Sequence, residues 1–299
     1  MECARYKAFL ACVETRSFGK EAERLDCSPS AVYQSVGAFE KELGFPLLLR
    51  GSKGVRPTEN AEKLLPIVRA LLQQEERFRQ VVAEINNQTN AGRITIGTYS
   101  SIAAHWLPAV IKGFTKEYPQ IEIHLMEGNW KENQEWMDTS AVDFAFVSRK
   151  KEVDYDWVPL QTSSMIAVLP SDHPMARQEA YPLKNCQDEK VILPTLSRDE
   201  DALELLERKH ISPKMEFNSL DNFSALAMIE QGMGMSIMNN LITRNIKSKV
   251  IKLPLDPPQT IELGIAIPSI KNASPAARCF IDYTVKQLRK GRRNKKGVL

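Results

Sequence analysis

Ser30, Tyr33, Gln34 and Gly37 fall on one face of a short helical segment whose opposite face carries Val32, Val36, Phe39 and Leu43. A glutamine amide both donates and accepts, so Gln34 can meet adenine with two hydrogen bonds. Tyr33 can lay its ring on a thymine methyl or donate to a phosphate. Further along stand Arg50, Lys53 and Arg56, spaced across a short turn and suited to phosphate oxygens. This is the chemistry of groove reading and charge pairing rather than of bond breaking.

The reactive side chains support no rival chemistry. Cys3, Cys12, Cys27, Cys186 and Cys279 contain no C-x-x-C pair, and an odd number argues against a disulfide framework, so they read as reduced structural thiols. His105, His124, His173 and His210 are scattered and form no H-x-x-x-H or H-E-x-x-H, so no metal and no cofactor is expected. There is no G-x-S-x-G and no P-loop, and Gly232-Met233-Gly234 reads as a turn. An enzyme is not expected. Trp130 and Trp136 with nearby carboxylates could hold a sugar, but a solvated helical face explains them equally.

The positioning elements are local and periodic. Tyr6, Phe9, Leu10 and Val13 repeat as one helical stripe. Ser17 can cap a second helix with core residues Phe18, Ala22 and Leu25. After Asp26-Cys27, Ser28 can cap a third, with Pro29 in its first turn, where a missing N–H costs nothing. Two short helices joined this tightly form a helix-turn-helix, which presents the later one to the major groove. Residues 44–58 then read as two strands and a turn, a basic wing beside that helix. Ser28, Ser30, Tyr33, Gln34, Arg50, Lys53 and Arg56 are the candidate DNA contacts. Acids roughly balance bases over the first sixty residues, so affinity should lean on the wing, helix dipoles and more than one copy of the head.

From Thr58 to about Asn86 a single helical period persists, about 43 Å at about 1.5 Å per residue. Ala61, Leu64, Val68, Leu71, Phe78, Val82 and Ile85 form a heptad seam interrupted by Glu75, with Pro66 off the seam and expected to bend the helix. Leu64, Val68, Leu71, Phe78, Val82 and Ile85 are the candidate dimerisation residues. Asn86 to Gly92 is polar and reads as a linker.

These pieces together resemble the LysR-type transcriptional regulators. The likeness rests on Ser17-Phe18 followed by Ala22 and Leu25, on Ser28-Pro29-Ser30-Ala31-Val32, on Glu40-x-x-Leu43-Gly44, on Leu47 to Arg50, and on Pro57-Thr58. It covers the whole chain, more weakly after residue 92. The chain departs from the common pattern at Glu21, Tyr33, Leu48 and Asn60-Ala61. The resemblance implies a winged helix-turn-helix, a dimerising linker helix and assembly into dimers or tetramers. It also implies an effector that alters DNA bending and contact with RNA polymerase.

Beyond residue 92, strands alternate with helices, the pattern of an α/β domain with a largely parallel sheet. Strands are expected at 93–97, 121–125, 143–147, 165–169, 191–193, 215–217, 235–238 and 261–267. Ser100 or Ser101 should cap a helix running to about Tyr118, and Ser197-x-x-Glu200 forms a capping box. A helix runs from Asp221 to Gln231, and a last one from Ser274-Pro275 to Leu288. The basic tail from Lys286 to Lys296 reads as a solvated end, with added non-specific DNA affinity as the alternative. The resemblance implies two subdomains like a periplasmic solute-binding fold, crossing near Gln161–Ser163 and returning near Ile265–Pro268. Strand-end loops then offer Thr98, Ser100, Ser101, Asn129, Trp130, Ser148 and Thr195 as candidate contacts to a small polar or anionic effector. Any one of them could equally be an ordinary cap or turn.

The expected organisation is α/β with an α-rich N-terminal head. A winged helix-turn-helix occupies 1–60, a dimerisation helix 58–91 and an effector domain 92–299. Within the last, subdomain I spans about 92–161 and 266–299, and subdomain II about 162–265. No apolar run nears the roughly 18 residues of a membrane helix, and the first residues do not read as a signal peptide, so a cytoplasmic protein without membrane partners is expected. The 299 residues are 43% hydrophobic and 26% charged with net charge +3, ordinary for a globular chain. The expected partners are double-stranded DNA, a small-molecule effector, the chain itself and RNA polymerase. The rival is an effector-independent repressor or architectural protein whose C-terminal part only oligomerises.

Overall fold

The computed structural model describes residues 2–17, 28–51, 54–85, 92–150, 152–194, 200–219 and 221–296. The expected helix at Phe18, Ala22 and Leu25, the Ser197 capping box and the 86–91 linker lie outside these residues. The chain divides into two compact units, one holding Met1–Gly92 and the other holding Arg93–Met137 with Val142–Leu299.

In the first unit α1 (Glu2–Thr15) packs on α2 (Pro29–Leu43). Phe9 and Cys12 from α1 meet Val32, Val36 and Phe39 from α2 in one core, where the Phe39 ring stands edge-on to Tyr6 and Phe9. Ser28 caps α2 by accepting the Ala31 N–H at 3.2 Å. Gly44, at φ 78, ends it in the left-handed conformation that glycine adopts at no steric cost. The wing follows as β1 (Leu48–Gly51) antiparallel to β2 (Gly54–Pro57). Its root is pinned to α2, because one Glu40 carboxylate oxygen accepts the N–H groups of Leu47 and Leu48 at 2.7 and 3.0 Å. Gly54, at φ 97, lies so close to the Arg16 carbonyl that a Cβ would sit 2.7 Å from it.

Thr58 accepts the Ala61 N–H and opens α3 (Glu59–Ile85), one continuous helix through Pro66. Its two halves differ. Ala61, Leu65 and Val68 are buried in the head's own core, whereas Ile67, Leu71, Phe78, Val82 and Ile85 are exposed.

The second unit is built on one mixed sheet. Its elements are β3 (Gly92–Thr98), α4 (Ser100–His105), α5 (Leu107–Glu117), β4 (Ile121–Glu127), α6 (Trp130–Asp138), β5 (Phe144–Ser148), β6 (Asp156–Leu169), β7 (Tyr181–Pro182), β8 (Lys190–Pro194), α7 (Glu200–Arg208), β9 (Lys214–Ser219), α8 (Asn222–Glu230), β10 (Ser236–Asn239), β11 (Ile251–Ile267) and α9 (Pro275–Lys296). The strand order is β10-β6-β11-β5-β3-β4, with β7 beside β11 and the parallel pair β8-β9 joined to β10 through Val191 and Met235. β3 and β5 run parallel, while β6 and β11 are long antiparallel partners threading two cores. The first core gathers Ile94, Ile96, Phe114, Phe144, Phe146, Leu263, Ile265 and Phe280. The second gathers Met165, Ala167, Tyr181, Val191, Leu205, Ile237 and Leu253.

Four local expectations change. The helix after β3 is two helices meeting at Trp106, because Pro108 has no N–H to give the preceding turn. Its cap is the Tyr99 backbone carbonyl rather than Ser100 or Ser101. The strand expected at 261–267 begins at Ile251. Pro257 and Pro258 fall in the stretch where the ladder register jumps from Pro254 to Gln259. Along β11, Leu263 and Ile265 pack in the first core and Ile261 borders both. The last helix also runs past Leu288 to Lys296.

Candidate functional site

On α2 the apolar and polar faces are separated. Val32, Val36 and Phe39 turn inward, and Ser28, Ser30, Tyr33 and Gln34 are exposed on the outer side of α2. Gly37 shares that side, and a Cβ there would meet nothing within 4 Å. Backbone could therefore approach a surface closely at this point. The Ser28 hydroxyl is already engaged as the cap, so its free contribution to an anion is the helix end it organises. On the wing, Arg56 pairs across the ladder with Leu49 and is exposed. The Arg50 backbone pairs with Val55, while the Arg50 side chain and Lys53 lie outside the described residues.

On α3 the seam is divided. Val68 is buried in the head and Leu64 half-buried against it, so neither stands exposed as Leu71, Phe78, Val82 and Ile85 do. Phe78 is 69% exposed and Ile85 74%. The polar interruption at Glu75 is occupied by Lys7 at 3.3 Å and Arg79 at 2.5 Å.

In the second unit the ends of β3, β4 and β5 meet. The Tyr99 N–H donates to the Phe146 carbonyl at 3.1 Å, and the Gly128 N–H to the Thr98 carbonyl at 3.1 Å. This brings Thr98, Ser100, Ser101, Asn129, Trp130 and Ser148 to one edge; Thr195 lies outside the described residues. Their roles differ. Ser100 is exposed, whereas Thr98, Ser101 and Ser148 are buried. Asn129 opens α6 with a reciprocal cap: its side chain accepts the Glu132 N–H at 3.0 Å, and Glu132 accepts the Asn129 N–H at 2.8 Å. Trp130 is 3% exposed, stacks on Tyr155 and donates its indole N–H to the Ser148 carbonyl at 3.2 Å. Both are therefore structural in this arrangement as well as adjacent to the site.

Ser148 reaches across to the second subdomain. Its hydroxyl donates to Asp201 Oδ1 on α7 at 2.6 Å. A serine has one proton to give, so the Tyr99 hydroxyl, 3.0 Å away, is the donor to Ser148. Lys150 joins the same Asp201 oxygen at 2.9 Å and Glu204 at 2.5 Å. Burial pulls the Lys150 ammonium down, but the charge of Asp201 and its bonds to Glu204 and Asp201 outweigh this, and the net shift is upward. No motif marks Tyr99, Lys150, Asp201 or Glu204; the only hint is that Lys150 follows the candidate Ser148 by two residues.

Burial pushes the Cys186 thiol up to about 12 and raises Cys279 as well, as inert structural thiols require. Among the described residues no group of histidines, cysteines and carboxylates could hold a metal, and no helix is long and apolar enough to cross a membrane.

Comparison with known proteins decides the family. Residues 4–62 match the bacterial regulatory helix-turn-helix proteins of the lysR family, and residues 87–289 match the LysR substrate binding domain. The chain belongs to the LysR family. LysR proteins are DNA-binding transcription regulators with an effector-binding domain, not enzymes. The uncharacterized HTH-type regulator YvbU of Bacillus subtilis is 28% identical over 285 residues, covering 94% of this chain and 97% of its own. The probable regulator LrrA of Synechococcus elongatus is 26% identical over 290 residues, covering 94% and 96%. Full-length OxyR C199D from Pseudomonas aeruginosa shares the fold with a TM-score of 0.73 at 19% identity, covering 96% of this chain and 97% of that one. The effector binding domain of QuiR, solved in complex with shikimate, matches 67% of this chain and 99% of its own with a TM-score of 0.60 at 21% identity.

Proposed function

We propose that this LysR regulator reads an operator with Ser30, Tyr33 and Gln34 of α2 in the major groove. The Ser28-capped helix end and Arg50, Lys53 and Arg56 of the wing hold the phosphates. The observation that carries this reading is the exposed polar face of α2 directly behind a buried apolar stripe. Exposed polar side chains on that face are placed to meet base edges.

Two heads are joined through α3. Leu71, Phe78, Val82 and Ile85 recur at heptad spacing and stand exposed, an arrangement that a second copy of the helix would cover. A small polar or anionic effector enters between the subdomains at the ends of β3 and β5. Its occupancy changes their closure, and with it DNA bending and the response of RNA polymerase. The protein works in the cytoplasm.

The test is a gel shift of the full chain against DNA immediately upstream of its own gene and against unrelated DNA, over a range of salt. Tight, sequence-preferring binding that is lost in Tyr33→Ala and Gln34→Ala supports the reading. Binding that ignores sequence and vanishes with modest salt overturns it.

A further inference from the structure

Asp201 is a carboxylate held by donors of the opposite subdomain. It is 8% exposed, and one of its oxygens takes both the Ser148 hydroxyl and the Lys150 ammonium. Counted together, Lys150, Asp201 and Glu204 carry one excess negative charge, which would favour a cation. The two acids, however, ride on α7, whose Ala202, Leu205 and Leu206 are packed in the second core. Ser148, Tyr99 and Lys150 belong to the strand ends of the first subdomain. If the subdomains part, both carboxylates leave with α7. The face left behind has two hydroxyl groups and one ammonium, and carries a positive charge.

We propose that Ser148 and Lys150 form a carboxylate-binding site, that Asp201 is its built-in occupant in the ligand-free chain, and that a carboxylate-bearing effector acts by taking Asp201's place. This rests on the reading of the cleft as the effector site and names the chemistry of its ligand. A ligand carboxylate accepts the same two hydrogen bonds, so the exchange leaves no buried donor without a partner on the first subdomain. It also releases α7 with its two acids, so the ligand need not pull the subdomains together to be felt. It only has to compete with a tethered side chain. Tethering gives Asp201 a high effective concentration, which a free carboxylate overcomes only through further contacts of its own. Simple carboxylates should therefore be poor ligands of the wild-type chain and better ligands once Asp201 is gone.

The experiment removes the occupant and supplies it free. Thermal unfolding and hydrogen exchange are followed for the full chain and for Asp201→Ala, in sodium acetate and in sodium chloride at equal ionic strength. Acetate is the missing side chain as a separate molecule. We expect Asp201→Ala to lower the midpoint by about 5 °C and to speed amide exchange in α7. Acetate should restore at least half of the lost midpoint and slow that exchange again. Chloride should do neither, the wild type should respond less, and Asp201→Ala with Lys150→Met should not respond to acetate. Equal action of acetate and chloride on Asp201→Ala overturns the proposal, as does an equal acetate response in the wild type or in the double variant. If Asp201→Ala does not fold, Asp201→Ser keeps a hydrogen-bonding group in the first turn of α7 and carries the same comparison. No DNA is present, so failure of operator binding and failure of the rescue are separate results.

Discussion

On α2, Ser30, Tyr33 and Gln34 stand in solvent while Val32, Val36 and Phe39 do the packing behind them; at the ends of β3 and β5, Thr98, Ser101 and Ser148 are themselves buried. The head separates the residues that would meet a partner from those that hold the fold. The cleft combines the two, since Ser148 at once accepts from Tyr99, donates to Asp201 and lends its carbonyl to Trp130. A face that only meets groove edges can keep that separation. A site that must report occupancy cannot, because its signal is the change in what its own side chains hold together.

That contrast is broken most severely at Trp130. Trp130→Ala removes a buried ring stacked on Tyr155 and leaves the Ser148 carbonyl without its indole donor. The expected cost is about 3–5 kcal/mol of stability, read by denaturant unfolding. A cost near zero would mean that the cleft edge is no more load-sharing than the α2 face. At Tyr33 and Gln34 the expected pattern is the reverse. Each change to alanine should weaken operator binding by about 1–3 kcal/mol and leave the unfolding midpoint within about 0.5 kcal/mol of the parent. A large loss of stability there would erase the distinction. Asn129→Ala tests the middle ground. It breaks the reciprocal cap with Glu132 and should cost about 1 kcal/mol of stability, while any effect on ligand response follows only through the position of α6.

The head was largely legible because its signals are local. The stripe of Val32, Val36 and Phe39 and the cap at Ser28 lie within one helix, and the wing strands are separated by one turn. The strand ends of the cleft were also readable, since Thr98 and Ser148 close short apolar runs. Their partners were not. Lys150 and Asp201 are far apart in sequence and belong to different subdomains, so neither periodicity nor a motif links them. The division of the α3 seam was hidden for a related reason. Val68 and Val82 occupy equivalent places in the heptad pattern, and only the packing of α1 and β2 against the first half of the helix buries one and exposes the other. Pro257 and Pro258 fall where the β11 ladder is interrupted, and α3 runs unbroken through Pro66.

The smallest expected effect lies on the wing, where separation of reading from folding should be most complete. Arg56 is exposed and contributes no packing to the head core, whereas its neighbour Val55 is buried there. Arg56→Ala should leave the midpoint unchanged and weaken binding to operator and unrelated DNA by the same factor. A guanidinium on a phosphate releases counterions without reading bases, so the slope of log affinity against log salt should fall by about 1. If Arg56→Ala instead reduced preference for the operator while keeping the salt slope, the wing would be reading sequence. The boundary between positioning and recognition in the head would then have to be redrawn to include β2.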